Sequence, residues 1–226
     1  MMTPQPLRKV EVIEAAIKHI PEGGTLIVPN VSWQDYETLL SRMGDDNTAR
    51  INYDQGRLEI MSPSPIHETL KELISHLARA IADKLGIDLE ALGSTTFKTG
   101  TFQQGAEPDT CFYIQNASRV IGKERLDLSV DPPPDIAVEV DISRDSTSKL
   151  NSYVNLGVPE LWLCNENGAR FFHFTGQGYV ESPTSRAFPF LTSDALTKAI
   201  EQCRAQGQSA ALRSFSNWMK KQLPSP

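Results

Sequence analysis

The chain has 226 residues (25.1 kDa), is 39% hydrophobic and 22% charged, and carries 22 Lys plus Arg against 28 Asp plus Glu, for a net charge of -6 and a pI near 5.3. That is the composition of a soluble globular protein, and no apolar run approaches the ~20 residues of a membrane span. The acidic balance excludes a surface built mainly to neutralise phosphate, while leaving room for a local basic groove. Cys111, Cys164 and Cys203 are too few and too scattered for a disulfide framework or a paired-cysteine metal site. The N-terminus, MMTPQPLRKVEVIEAA, lacks the apolar core of a secretory signal, so a reducing cytoplasm is the expected setting.

The length suits one domain. It is expected over 1–226, with a core at about 31–181, an N-terminal attachment at 1–30 and a C-terminal helical extension at 190–226. Apolar spacing predicts a helix from Leu7 to Ile20, stopped by Pro21 and Gly23-Gly24, then a short apolar run Leu26 to Val28. Ser32 is a cap for a helix from Trp33 to about Met43 that buries Tyr36, Leu39 and Leu40. Ile51 to Tyr53 and Leu58 to Met61, joined by Asp54-Gln55-Gly56, read as a β-hairpin. A strong helix follows, with Ser64 as cap, Pro65 at its first position, an apolar stripe of Ile66, Leu70, Leu73, Ile74, Leu77, Ile81 and Leu85, and Gly86 as its stop. His67 lies at the edge of that stripe, and Glu68 lies roughly opposite its centre, where a solvated carboxylate is the default. His67 is therefore the better site candidate of the two.

Leu89 to Gly93 and Thr95 to Lys98 are strand-like, and a loop containing Gly100 and Gly105 leads to Glu107-Pro108-Asp109 and a strand from Thr110 to Ile114. Asp109 thus stands at the mouth of a strand. From Ile136 to Ile142 the residues alternate, with Ile136, Val138, Val140 and Ile142 pointing one way and Ala137, Glu139 and Asp141 the other. Glu139 and Asp141 sit about 7 Å apart on one face and can converge on a cation between them. A short helix with Leu150, Tyr153 and Val154 closes at Gly157, and Lys149 falls in its first turn, near the end of the carboxylate-bearing strand. Glu160 to Cys164 is a further strand, and Arg170 to Phe174 pairs with Gly178 to Glu181 in a second hairpin. Asp194 is expected to cap a helix to about Ala205. Ala210 to Leu223, with Leu212, Phe215, Met219 and Leu223 on one face, is a terminal helix open to the body of the domain or to a second copy in a homodimer. The fold class is α/β or α+β, with a mixed sheet flanked by helices.

Taken singly, Asp109 reads as a turn cap, Glu139 as an ion-pair partner of Arg144 or Lys98, and Lys149 as a surface lysine. Taken together they are hard oxygen ligands for Mg2+ or Mn2+ with a lysine beside them, the set that phosphodiester hydrolysis needs. The order of Pro108-Asp109, Glu139-Val140-Asp141 and a following helix with lysine resembles the PD-(D/E)XK nuclease superfamily. More closely, RLEIMSPSPIHE, GAEPDTCFYI, PPDIAVEVDIS and LNSYVNLGVPELWL resemble the Uma-two restriction-endonuclease family, grouped as a domain of unknown function, over roughly Val31 to Val180.

The resemblance implies a restriction-endonuclease-like core and a Mg2+-dependent endonuclease acting on DNA. It makes Asp109 and Glu139 the matched metal ligands, Lys149 the catalytic lysine supplied from the helix, and His67 the family's histidine at its first helix. Asp141 occupies the place where the superfamily puts its lysine, as a third ligand or as the mark of a lost one. Two other classes stay open: a nuclease-fold module that binds nucleic acid or a protein without cutting, and a structural dimer module using the terminal helix.

Overall fold

The computed structural model describes residues 9–44, 48–140 and 150–223. Asp141, Ile142, Arg144 and Lys149 lie outside the described residues.

Helix α1 (Lys9–Ile17) buries Val10 and Ile13, and strand β1 (Thr25–Val28) follows it. Helix α2 (Trp33–Met43) starts where expected, because the Ser32 hydroxyl accepts the Asp35 N–H at 3.1 Å. Strands β2 (Arg50–Asp54) and β3 (Arg57–Met61) pair down to Asp54↔Arg57. The two residues between them, Gln55 (φ 44°) and Gly56 (φ 101°), both take the positive φ that a tight two-residue connection of twisted strands requires.

Helix α3 (Pro65–Leu85) is capped by Ser64 and ended by Gly86 in the left-handed region (φ 64°). Its buried row runs through His67, Leu70, Ile74, Leu77 and Ile81, so His67 rather than Ile66, which is 39% exposed, begins the core-facing side. Next come β4 (Glu90–Ala91), β5 (Phe97–Thr99), β6 (Gln104–Ala106), β7 (Thr110–Tyr113) and the single turn α4 (Ala117–Val120). The sequence shows no sign of β6, since Gln104-Gly105-Ala106 holds no branched or aromatic side chain. Tertiary packing explains the composition: a Cβ on Gly105 would stand 2.1 Å from the Tyr36 hydroxyl, so glycine is what lets α2 lie against this strand.

Strand β8 (Ile136–Val140) leads through α5 (Leu150–Val154) to β9 (Glu160–Asn165), β10 (Gly168–Phe174) and β11 (Tyr179–Ser182). Helices α6 (Ser193–Gln206) and α7 (Gln208–Gln222) end the described chain. The cap of α6 is Thr192, whose hydroxyl accepts the Ala195 N–H at 3.1 Å. Asp194, expected as the cap, sits instead in the first turn, where its charge meets the positive end of the helix dipole.

The strands form two sheets. One is antiparallel, in the order β1-β3-β2-β6-β5; the other is mixed, β11-β10-β9-β8-β7-β4, with β8 and β9 parallel. The alternation read along β8 holds: Ile136, Val138 and Val140 pack under α3, α6 and α7, and Ala137 faces the opposite cluster around Tyr153, Leu161 and Leu163. Both faces are covered, which is why all five residues of β8 are buried, polar ones included. Phe215 and Met219 of α7 join the core beneath the mixed sheet, so the terminal helix packs on the body of the protein. Helix α5 lies against β2 and β6 and ties the two sheets together beside the end of β8.

Candidate active site

Strands β7 and β8 run antiparallel, and their ladder ends at Thr110 opposite Val138, with Asp109 just before the one and Glu139 just after the other. The Asp109 N–H donates to Val138 O at 2.9 Å, and Asp109 Oδ2 accepts the Val140 N–H at 2.7 Å, so the aspartate is clamped to β8 from both its backbone and its side chain. Asp109 is 0% and Glu139 1% exposed. A buried carboxylate is tolerated only with donors or cations around it. Glu139 Oε1 accepts the Tyr153 hydroxyl at 2.5 Å. Asp109 has His67 Nε2 at 3.1 Å from Oδ2 and Arg50 Nε at 3.6 Å from Oδ1. Among the described residues, Oδ1 has no hydrogen-bond donor, and neither nitrogen of His67 is hydrogen-bonded.

Of the residues singled out in the sequence, Asp109, Glu139 and His67 therefore come together from β7, β8 and the first turn of α3. Glu68 is partly solvated, as its helix position implies: its carboxylate pairs with Lys71 and lies 3.6 Å from Arg50 Nη2. Lys98, an alternative partner for Glu139, pairs instead with Glu37 at 2.6 Å on the rim of a groove also lined by Trp33, Thr96 and Arg125. Among the described residues no three His, Cys, Asp or Glu side chains gather as metal ligands. Asp109 and Glu139 are the two described members of the expected set.

Two site residues escape a reading by sequence pattern. Arg50 opens β2 in the other sheet, some 60 positions before Asp109 in the chain, and nothing local marks it. Tyr153 has the spacing of an apolar helix residue and is 0% exposed, yet its hydroxyl is spent on Glu139. Burial first, and then the Glu139 charge, push the Tyr153 phenol well above its ordinary range, so it remains a protonated donor. Tyr153→Phe should leave the ring packing intact and lower stability by about 1.5–3 kcal/mol for a lost bond to a charged group. A melting curve checks it; a wild-type melting temperature in the variant would make Tyr153 a packing residue only.

A family model described as "Putative restriction endonuclease", Uma2, matches residues 33–205. The chain belongs to the Uma2 family. Arg50, His67, Asp109, Glu139 and Tyr153 all fall inside the matched Uma2 region. The crystal structure of a "putative nuclease belonging to DUF820" from Anabaena variabilis ATCC 29413 aligns over 75% of this chain and 99% of that one, at 16% identity and a TM-score of 0.50. At that identity the likeness is one of fold: an α+β, restriction-endonuclease-like arrangement of mixed sheet and flanking helices. A comparison with curated proteins finds no match. The family description supports a nuclease for this Uma2 member. No helix among the described residues is long and apolar enough to cross a membrane.

Proposed function

We propose that the protein is a metal-dependent endonuclease that hydrolyses phosphodiester bonds in DNA. The observation that carries this reading is the fully buried Asp109 beside Glu139, with one Asp109 oxygen lacking a donor. An orphaned, buried carboxylate oxygen is an expensive feature, ~1–3 kcal/mol or more for a charged group, and a cation would satisfy it. Two carboxylates are the donor chemistry of Mg2+ or Mn2+, so Asp109 and Glu139 fit as ligands, with Asp141 the third candidate. The chemistry supplied by such a bound cation is Lewis-acid stabilisation of the charge that grows on phosphate oxygens. The chain's own groups do the rest: the Val140 N–H holds Asp109 in place with His67 Nε2 3.1 Å from the same oxygen, and the Tyr153 hydroxyl holds Glu139. His67, at 2% exposure, serves as a positioning residue for Asp109. Lys149 is the group to orient or deprotonate the attacking water.

Purified protein is expected to nick or cut DNA with Mg2+ or Mn2+ and to stop in chelator. Mn2+ should also raise the melting temperature by mass action, in wild type and not in Glu139→Gln. Equal shifts in both proteins would remove Glu139 from the metal site. Lys149→Ala should lower cleavage by roughly 10² while leaving folding and metal affinity near wild type; unchanged cleavage would take Lys149 out of the mechanism.

The net charge of -6 and the aspartate at position 141, where the superfamily pattern has lysine, favour a second reading, a module that binds nucleic acid without cutting it. That module keeps its nucleic-acid affinity in chelator and shows no cleavage of duplex DNA, single strands or RNA with any of several metals.

A further inference from the structure

Arg50 is 9% exposed, and its guanidinium carries five N–H donors. Among the described residues it makes one hydrogen bond, from Nη1 to Thr48 O at 2.9 Å. Its Nε is buried without a partner, and the Asp109 Oδ1 that faces it at 3.6 Å is also without one. Nη2 stops at the same distance, 3.6 Å, from Glu68. These separations lie beyond hydrogen-bond range. The same protein shows what a guanidinium does when a carboxylate is its settled partner: Arg170 grips Glu181 with Nε to Oε1 at 3.0 Å and Nη2 to Oε2 at 2.5 Å, even at the surface. Arg50, far more buried, holds back from both carboxylates near it.

We propose that Arg50 is the phosphate-contacting residue of the Asp109 site, taking a phosphodiester oxygen of a nucleic-acid strand with the donors it leaves unspent. The inference rests on the nuclease reading and assigns it a substrate contact. A phosphodiester carries a negative charge and oxygens able to accept the guanidinium N–H groups that both nearby carboxylates leave without a hydrogen bond. Arg50 also comes from the sheet opposite the one that carries Asp109 and Glu139, so it addresses the carboxylates from across the site. The planar fork of arginine matches two phosphate oxygens in a way that a lysine ammonium does not.

The test needs no cleavage. Asp109→Asn keeps an oxygen for the Val140 N–H and removes the charge that Arg50 faces, so in chelator it should bind a fluorescent duplex oligonucleotide several-fold more tightly than wild type. Adding Arg50→Ala to that variant should weaken binding about tenfold and make the slope of log K against log salt shallower by about 0.9, one phosphate contact. Adding Arg50→Lys instead should keep the slope and recover only part of the affinity. If the alanine variant melts early, Arg50→Gln, which retains a donor for Thr48 O, replaces it in the same comparison. Equal affinity and slope with and without Arg50 in the Asp109→Asn background would overturn the proposal, as would failure of Asp109→Asn to bind the duplex. Loss of the Arg50 effect in a protein that still cleaves DNA would sink the contact and spare the nuclease. An intact Arg50 effect in a wild type that cleaves nothing would do the reverse.

Discussion

Asp109→Asn and Glu139→Gln are each expected to abolish the proposed metal-dependent cleavage while leaving a folded protein that melts close to wild type. The choice of substitution matters because charged side chains at strand mouths are usually near the surface, where replacement changes stability by about 0.5 kcal/mol or less, and these two are not. Asp109 and Glu139 are buried and accept hydrogen bonds from the Val140 N–H and the Tyr153 hydroxyl. Alanine at either position would orphan a buried donor, at roughly 1–3 kcal/mol each. A protein of this size loses about 2–4 °C of melting temperature per kcal/mol. Alanine variants therefore confound lost chemistry with lost folding, whereas the amides keep one acceptor oxygen for the existing donor, remove the charge and put an NH2 group in place of the second oxygen. Cleavage assays with Mg2+ and Mn2+, run beside melting curves, separate the two. Cleavage at the wild-type rate by Asp109→Asn would dismiss this site as the catalytic one.

The largest expected loss of stability lies at a third buried carboxylate, at the other end of the mixed sheet. Glu160 opens β9 opposite Ile136, whereas Glu139 lies opposite Leu163. Glu160 is 0% exposed, and both of its oxygens accept hydrogen bonds. Oε1 accepts the Trp162 indole N–H at 2.8 Å, and Oε2 accepts the N–H groups of Arg186 and Ala187, each at 3.0 Å, and the Ser185 hydroxyl at 3.2 Å. The loop before α6 is thereby pinned to the sheet, with Phe188 set in the core behind it. Glu160→Ala would leave these donors buried and unpaired, so it should cost about 3–5 kcal/mol, the sum of several neutral donors orphaned at roughly 1–3 kcal/mol each and partly relaxed. Glu160→Gln, with one acceptor oxygen in place of two, should lose less. Urea unfolding measures both, and a change below about 1 kcal/mol for the alanine variant would show that water replaces the carboxylate. Per folded molecule, cleavage should survive the change. That contrast separates a carboxylate with both oxygens hydrogen-bonded from Asp109, which has an oxygen to spare.

Local chemistry carried much of the fold in the sequence. The Ser32 and Ser64 caps, the Gln55-Gly56 turn, the Gly86 stop and the alternation along β8 depend on neighbours in the chain, so spacing alone places them. Phrases such as PPDIAVEVDIS and GAEPD likewise carry the family and the pairing of Asp109 with Glu139, because each motif residue is referred to its own strand. Other features depend on what the folded chain brings together. Strand β6 exists because β2 and β5 pair with it and Tyr36 packs over Gly105, and nothing within Gln104-Gly105-Ala106 encodes either condition. Arg50 reaches Asp109 only because the two sheets meet, and Tyr153 reads as an apolar helix residue until its hydroxyl is set against Glu139. Burial is the other tertiary decision. The sequence by itself put carboxylates at Asp109, Glu139 and Glu160, but only packing on both faces of the mixed sheet took all three out of water and left one of them with an oxygen unpaired, since desolvation and hydrogen-bond geometry are properties of the assembled chain.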